Sequence, residues 1–310
     1  MCSVALDSLP DSTYGYQKKS PCDPGTRKEI LDDIMRWITD ISGTARCFFW
    51  MSGDPGVGKS AITASIAKEC KSRKVLWAQL FINRNNARTV DPRLFFPSIA
   101  QQMSKSSPAV ERAVQQIIRE QPELLDEDIS IDQARKLFIN TIRIASDSSP
   151  TFPVVIVIDA LDETDIKKLK ETAKIFSEVL VDLPFNAKVF ISNPRVRHMH
   201  LSPAKSIPEV TRFLERKLTE IMEENEIDWS QWRQMYMQRL CAQASGLFIW
   251  AVTAIAYIRA EIEDSGQECL NVVLDELNAE GMKDINQLYL AILNRTYQRD
   301  RGPWSLQRFR

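Results

Sequence analysis

Histidine is nearly missing from this chain: its 310 residues hold two, His198 and His200. A histidine-rich metal centre and a multi-histidine pH switch are thereby excluded, and the i, i+2 pair reads as part of a surface loop. No two of the six cysteines (Cys2, Cys22, Cys47, Cys70, Cys241 and Cys269) stand in CxxC spacing, so a zinc knuckle or a dithiol redox motif finds no support. Scattered in this way they read as free thiols in a reducing compartment, and the expected location is cytoplasmic. An excess of either charge is missing too. Lysine plus arginine number 40 and aspartate plus glutamate 41, a formal charge of −1. That balance, with no long basic run, excludes binding nucleic acid by bulk charge. The N-terminus lacks a basic stretch leading into an apolar one, so it shows no signal peptide. Long apolar runs are scarce. Residues 240–258 carry no charge, but Gln243, Ser245, Gly246 and Thr253 interrupt them. They read as a buried core helix, and no membrane is expected among the partners.

What is present points to a folded chain of about two domains. Hydrophobic residues make up 44% and charged residues 26%, which is not the composition of a disordered protein. Residues 1–25 hold Pro10, Gly15, Pro21, Pro24 and Gly25 among polar residues and read as a linker or arm. Thr26 and Glu29 have capping-box spacing, so a helix is expected from Thr26. Ile30, Ile34, Ile38 and Ile41 continue it at helical spacing, and Gly43 ends it.

Cys47-Phe48-Phe49-Trp50-Met51 is a continuous apolar run, as in a parallel strand buried on both faces. Residues 75–82, 154–158 and 188–192 are the further strand candidates, and 154–158 are β-branched throughout. Helix-start signals at Asp91-Pro92, Ser107-Pro108 and Ser130 with Gln133 predict three helices between the second and third strands. A helix over 165–182 follows the third strand. Alternating strands and helices imply a parallel α/β sheet with right-handed crossovers. From Pro208 onward only helical periodicity remains, over 229–242, 246–263, 268–278 and 285–298 after a first helix through Val210, Phe213, Leu214, Leu218 and Ile221. Trp229, Trp232 and Trp250 read as helical core. The expected layout is an arm over 1–25, an α/β domain over 26–205, an all-helical domain over 206–298 and a tail over 299–310, where the chain reads as truncated.

Two motifs carry chemistry. Gly53-Asp54-Pro55-Gly56-Val57-Gly58-Lys59-Ser60 fits G-x-x-x-x-G-K-[S/T] between a strand and a helix. Glycines let the loop turn tightly, so that backbone N–H groups converge on phosphate oxygens. The helix N-terminus, beginning with Ser60 and Ala61, adds positive dipole there. Lys59 is placed to reach the β- and γ-phosphates, and the Ser60 hydroxyl to bind magnesium. The second motif is the strand ending in Asp159-Ala160-Leu161-Asp162-Glu163. Asp159 is the metal-side candidate. Asp162 and Glu163 compete for the role of orienting or deprotonating water, with Glu163 the weakly preferred one. The implied ligands are ATP or ADP with Mg2+. Arg84, Arg88 and Arg93 follow the second strand on the expected nucleotide side and read as solvated charges, with an arginine finger as the alternative.

Together with Gly246-Leu247-Phe248-Ile249-Trp250-Ala251 and the opening Pro21-Cys22-Asp23-Pro24-Gly25-Thr26-Arg27, these motifs resemble a fungal NACHT protein of the STAND class of P-loop NTPases. The region is similar to the nephrocystin-like N-terminal domain. The resemblance implies a switch that exchanges ADP for ATP, with slow or conditional hydrolysis, and that works through self-association or effector proteins. It also implies that the fourth strand lies between the phosphate-loop strand and the Asp159 strand. The family's T-S-R-P-E reads Ser192-Asn193-Pro194-Arg195-Val196 here. Pro194 therefore stands at the γ-phosphate sensor position, with Arg195 one residue on. Where related switches place a proline against adenine, this chain has Phe248, whose ring reads as core first and base-stacking second. A nucleotide-binding scaffold without turnover is the alternative function.

Overall fold

A computed structural model of the chain describes residues 19–125, 128–164, 168–192, 199–279 and 281–299. Helix α1 (Lys28–Thr39) leads into β1 (Phe48–Gly53), α2 (Lys59–Ser72) and β2 (Leu76–Phe81). Then come α3 (Phe95–Ser104), α4 (Pro108–Glu120) and a helical stretch over 131–148 whose last part is α5 (Asn140–Ser148). Strand β3 (Val154–Asp159), helix α6 (Leu169–Val179), β4 (Ala187–Ser192) and β5 (Met199–Leu201) complete the sheet. Its order is β2-β3-β4-β1-β5, and the β2–β3, β3–β4 and β4–β1 pairs are parallel. The fourth strand thus lies between the loop-bearing strand and the Asp159 strand, as the resemblance implies.

The sheet forms where the sequence offers unbroken apolar runs. Every residue of β3 and β4 is buried, which parallel strands covered by helices on both faces require. One face packs around Phe96, Phe138 and Phe176, whose ring centroids lie 5.1 to 6.0 Å apart. The edge strand β2 is closed by a side chain. The Gln102 amide accepts from the Gln79 N–H at 3.0 Å and donates to the Gln79 carbonyl at 2.9 Å.

Two capping expectations change. The first helix starts at Lys28, with Arg27 left-handed at φ 58° and no side-chain cap. The Thr26 hydroxyl instead donates to the Asp23 carbonyl at 2.7 Å, a local turn that competes with capping. Ser130 does accept from the Gln133 N–H, but Gln133 does not return the bond. Its buried amide donates to Leu124 and Arg93 carbonyls.

Residue contacts group the chain into two units: Met1–Gly53 with Lys59–His200, and Asp54–Gly58 with Leu201–Arg310. The second is helical, with α7 (Pro203–Glu224), α8 (Ser230–Ala244), α9 (Phe248–Ser265), α10 (Leu270–Leu277) and α11 (Ile285–Arg299). Trp229, Trp232 and Trp250 are buried in its core. The indole of Trp232 donates to Asn271 and the Tyr236 hydroxyl to Asp275, both at 2.6 Å. Buried aromatic residues thus keep their polar ends satisfied along α10. Among the described residues no helix is long and apolar enough to cross a membrane.

Candidate functional site

The loop over 53–60 leaves the buried C-terminal end of β1 and runs into α2. Gly56 and Gly58 have φ +80° and +91°, values that side-chain-bearing residues rarely adopt. Val57 is buried and anchors the turn, its N–H 3.4 Å from the Asp54 carbonyl. Asp54 and Pro55 are exposed; Gly56, Gly58, Lys59, Ser60 and Ala61 are half-buried. The Lys59 ammonium donates to the Gly53 carbonyl at 2.7 Å. The lysine side chain is therefore folded back to the end of β1, from its place at the N-terminus of α2. Within the second unit, the Ile249 N–H donates to the Gly56 carbonyl at 3.2 Å. A Cβ on Gly56 would lie 2.4 Å from the Ile249 side chain, and one on Gly58 3.8 Å from the Phe248 ring. Phe248 packs edge-on to Phe213 at 5.8 Å, so it is a core residue with one side toward the loop.

The acidic motif is built on strand ends. Asp159 closes β3 and is fully buried. Its Oδ1 accepts from the Ser192 hydroxyl at 2.5 Å, while Ser192 Oγ accepts from the Ala160 N–H at 3.0 Å. Its Oδ2 is buried with no hydrogen-bond partner, an acceptor that costs free energy unless something occupies it. Ala160 is left-handed, φ 59°, and starts the 3-10 turn Leu161–Glu163. A non-glycine residue held there is backbone strain of the kind found at functional sites. The turn carries Asp162 and Glu163. Burial raises the Asp162 pKa above its usual value, with Glu163 and Asp159 adding to the rise and Lys59 opposing it. Lys59, Asp159, Asp162 and Glu163 therefore share one electrostatic neighbourhood in the first unit.

Glu163 is held by Arg84, which the sequence read as a solvated charge with an arginine finger as the alternative. Its Oε2 accepts from the Arg84 backbone N–H at 2.9 Å, with the Arg84 guanidinium 3.9 Å away. The loop after β2 thus holds one oxygen of the carboxylate. Ser192 is the other addition, through its bond to Asp159. Its position at the end of the strand beside β3 was a signal for this. No signal in the sequence could pair Arg84 with Glu163, because a backbone N–H has no residue preference. Arg93 is tied to Asp91 and Arg88 is exposed. Arg195, Asn193 and Pro194 lie outside the described residues, as does His198. Among the described residues no group of three His, Cys, Asp or Glu side chains is arranged to hold a metal. The five described cysteines are free thiols.

The sheet order and the glycine loop that follows β1 define a P-loop domain of the nucleotide-binding type. Residues 25–193, more than half of the chain, match the family described as Nephrocystin 3, N-terminal, and the chain belongs to that family. Comparison with curated proteins returns no match. Among solved structures it is similar to the structure of Drosophila ORC bound to DNA, with 14% identity over 89% of this chain and 67% of that one, TM-score 0.41. It is also similar to the structure of C. elegans PCH-2, with 11% identity over 91% of this chain and 72% of that one, TM-score 0.43.

Proposed function

We propose that the chain is a NACHT-type switch of the STAND class, like the fungal proteins it resembles. It would bind ATP or ADP in the loop over 53–60 and hydrolyse ATP slowly or conditionally. In this reading 26–205 is the nucleotide-binding domain and 206–298 the helical domain that transmits its state to self-association or to effector proteins. The observation that carries it is the pairing of a helix-entering glycine loop with a buried, half-satisfied Asp159 on the strand two places away in the sheet. The unpartnered Asp159 Oδ2 fits a Mg2+ site, with the Ser60 hydroxyl as the second protein ligand. Bound there, the cation would neutralise charge on the phosphates.

The chain's own residues divide the remaining work. Lys59 gives up the Gly53 carbonyl and meets phosphate oxygens. Glu163 orients and deprotonates water through its free oxygen, with Arg84 fixing the other; Asp162 is the competing base. Arg195 reports the γ-phosphate from beside Pro194. A charge-assisted bond there is worth about 1.5–3 kcal/mol, or about ten- to a hundred-fold in ATP over ADP. Denaturing the purified protein and identifying the nucleotide it releases tests the binding. Titrating ATP and ADP into Arg195→Ala tests the switch, since an unchanged affinity ratio removes Arg195 from it. Pro194 at the sensor position favours a second reading, a nucleotide-binding scaffold without turnover. Metal-dependent phosphate release from the wild-type chain would eliminate that one.

A further inference from the structure

The N-terminal end of the same sheet buries an amine with nothing to bond. Lys188 lies in β4 with its side chain fully buried, and its Nζ makes no hydrogen bond. The Nζ sits 5.5 Å from the centre of the Trp37 ring, a weak return for the hydration that its charged form would lose. Burial lowers its pKa, while Cys47 and Asp40 pull the other way. Desolvation of this kind turns a lysine into a nucleophile.

Its neighbour in the sheet is a thiol. The parallel register pairs Phe48 with Val189 and Phe49 with Phe190, and the Val189 N–H donates to the Cys47 carbonyl at 2.8 Å. Cys47 therefore stands beside Lys188. Both are two residues before Phe49 and Phe190, whose rings stack at 5.8 Å, so both side chains leave on that face. Trp37 covers the same face, 5.2 Å from Phe49. Cys47 is half-buried, with its Sγ 3.3 Å from the Pro184 carbonyl. Burial pushes its thiol up, and Lys188 pulls it down.

We propose that Cys47 and Lys188 form a covalent modification site, at which hydrogen peroxide oxidises the thiol and the amine captures the sulfur as a sulfenamide. Lys188 first takes the thiol proton. The thiolate attacks peroxide, so that an S–O bond forms and the O–O bond breaks. The released hydroxide removes the proton from the ammonium and leaves as water. The free amine then attacks the sulfenic sulfur; the S–N bond forms, the S–O bond breaks and a second water leaves. The sulfur loses two electrons and peroxide gains them. The product ties the start of β1 to β4 and replaces an unpartnered buried amine with a neutral link.

The test is peroxide treatment of the full chain, followed by intact mass, peptide mapping and dimedone labelling of sulfenic acid. The wild type should lose two hydrogens, give a linked peptide containing Cys47 and Lys188, resist dimedone and revert with dithiothreitol. Lys188→Met should lose the link and leave Cys47 open to dimedone. Lys188→Arg, which keeps the charge, should do the same and serves if the methionine variant fails to fold. Equal dimedone labelling of Cys47 in wild type and variants overturns the proposal. So does a Cys47 that peroxide leaves unchanged, or a link heavier by one oxygen.

Discussion

Gly246 should be the least replaceable glycine of the helical unit, and Gly281 shows why. Both have positive φ, +78° and +92°, so alanine at either pays for a left-handed backbone, about 1–2 kcal/mol. They differ in what surrounds them. A Cβ on Gly281 meets nothing within 4 Å, whereas one on Gly246 would lie 1.9 Å from the Pro203 carbonyl oxygen and 2.6 Å from its carbon. Ordinary contact begins at 3.4 Å, so the Pro203 backbone would have to retreat by about 1.5 Å, the difference between 3.4 and 1.9 Å. Pro203 is the first residue of α7, which buries Val210, Phe213, Leu214, Leu218 and Ile221. Shifting its start strains that packing, at about 1–3 kcal/mol more. Gly246→Ala should therefore cost about 2–5 kcal/mol against about 1–2 for Gly281→Ala. Urea unfolding followed by far-ultraviolet circular dichroism measures both. Losses that agree within about 0.5 kcal/mol would show that Pro203 does not confine Gly246.

Lys59→Ala should abolish tight binding of both ATP and ADP while leaving the thermal midpoint of the free protein nearly unchanged, because the half-buried ammonium contributes little core; calorimetric titration checks it. Asp162→Asn should stabilise the free protein at neutral pH. The folded pKa of Asp162 is raised above 3.8, so its contribution is fully favourable only below that value and is lost as pH rises through the folded pKa. The gain in thermal midpoint should accordingly vanish on acidification below about 3.8. Glu163→Gln should keep ATP binding and slow any hydrolysis about a hundredfold or more; if Asp162→Asn gives the larger rate loss, the roles of the two carboxylates are exchanged. Asp159→Asn should weaken the magnesium dependence of ATP binding, read from titrations with and without the cation.

The strands were legible because β-branched and aromatic runs leave few other structures open to them. Residues 154–158 are found as β3, and the glycine loop lies where its strand and helix neighbours required. Helix starts were less legible. Thr26 has the right spacing to Glu29, yet the Asp23 carbonyl captures its hydroxyl first, and a local turn of this kind is invisible to spacing rules. Contacts distant in sequence were not legible at all. Arg84 reaches Glu163 through a backbone N–H, and Lys188 reads in sequence only as one residue of a buried strand. Which neighbour lies beside each was settled by sheet register, a property of the assembled fold.

The amide of Gln102 gives the sheet an unusual end. A β-sheet is a polymer that grows by adding strands to whichever edge still offers N–H and C=O groups. At Gln79 a side-chain amide has taken the place that the next peptide would occupy, as a chain terminator does in synthesis. The sheet is stopped at β2 by one residue of a helix. Any extension past that point must first evict Gln102. Gln102→Leu would remove the terminator while keeping the helix, and the exposed edge should shorten the lag before thioflavin-positive aggregation when each protein is held equally far below its own thermal midpoint.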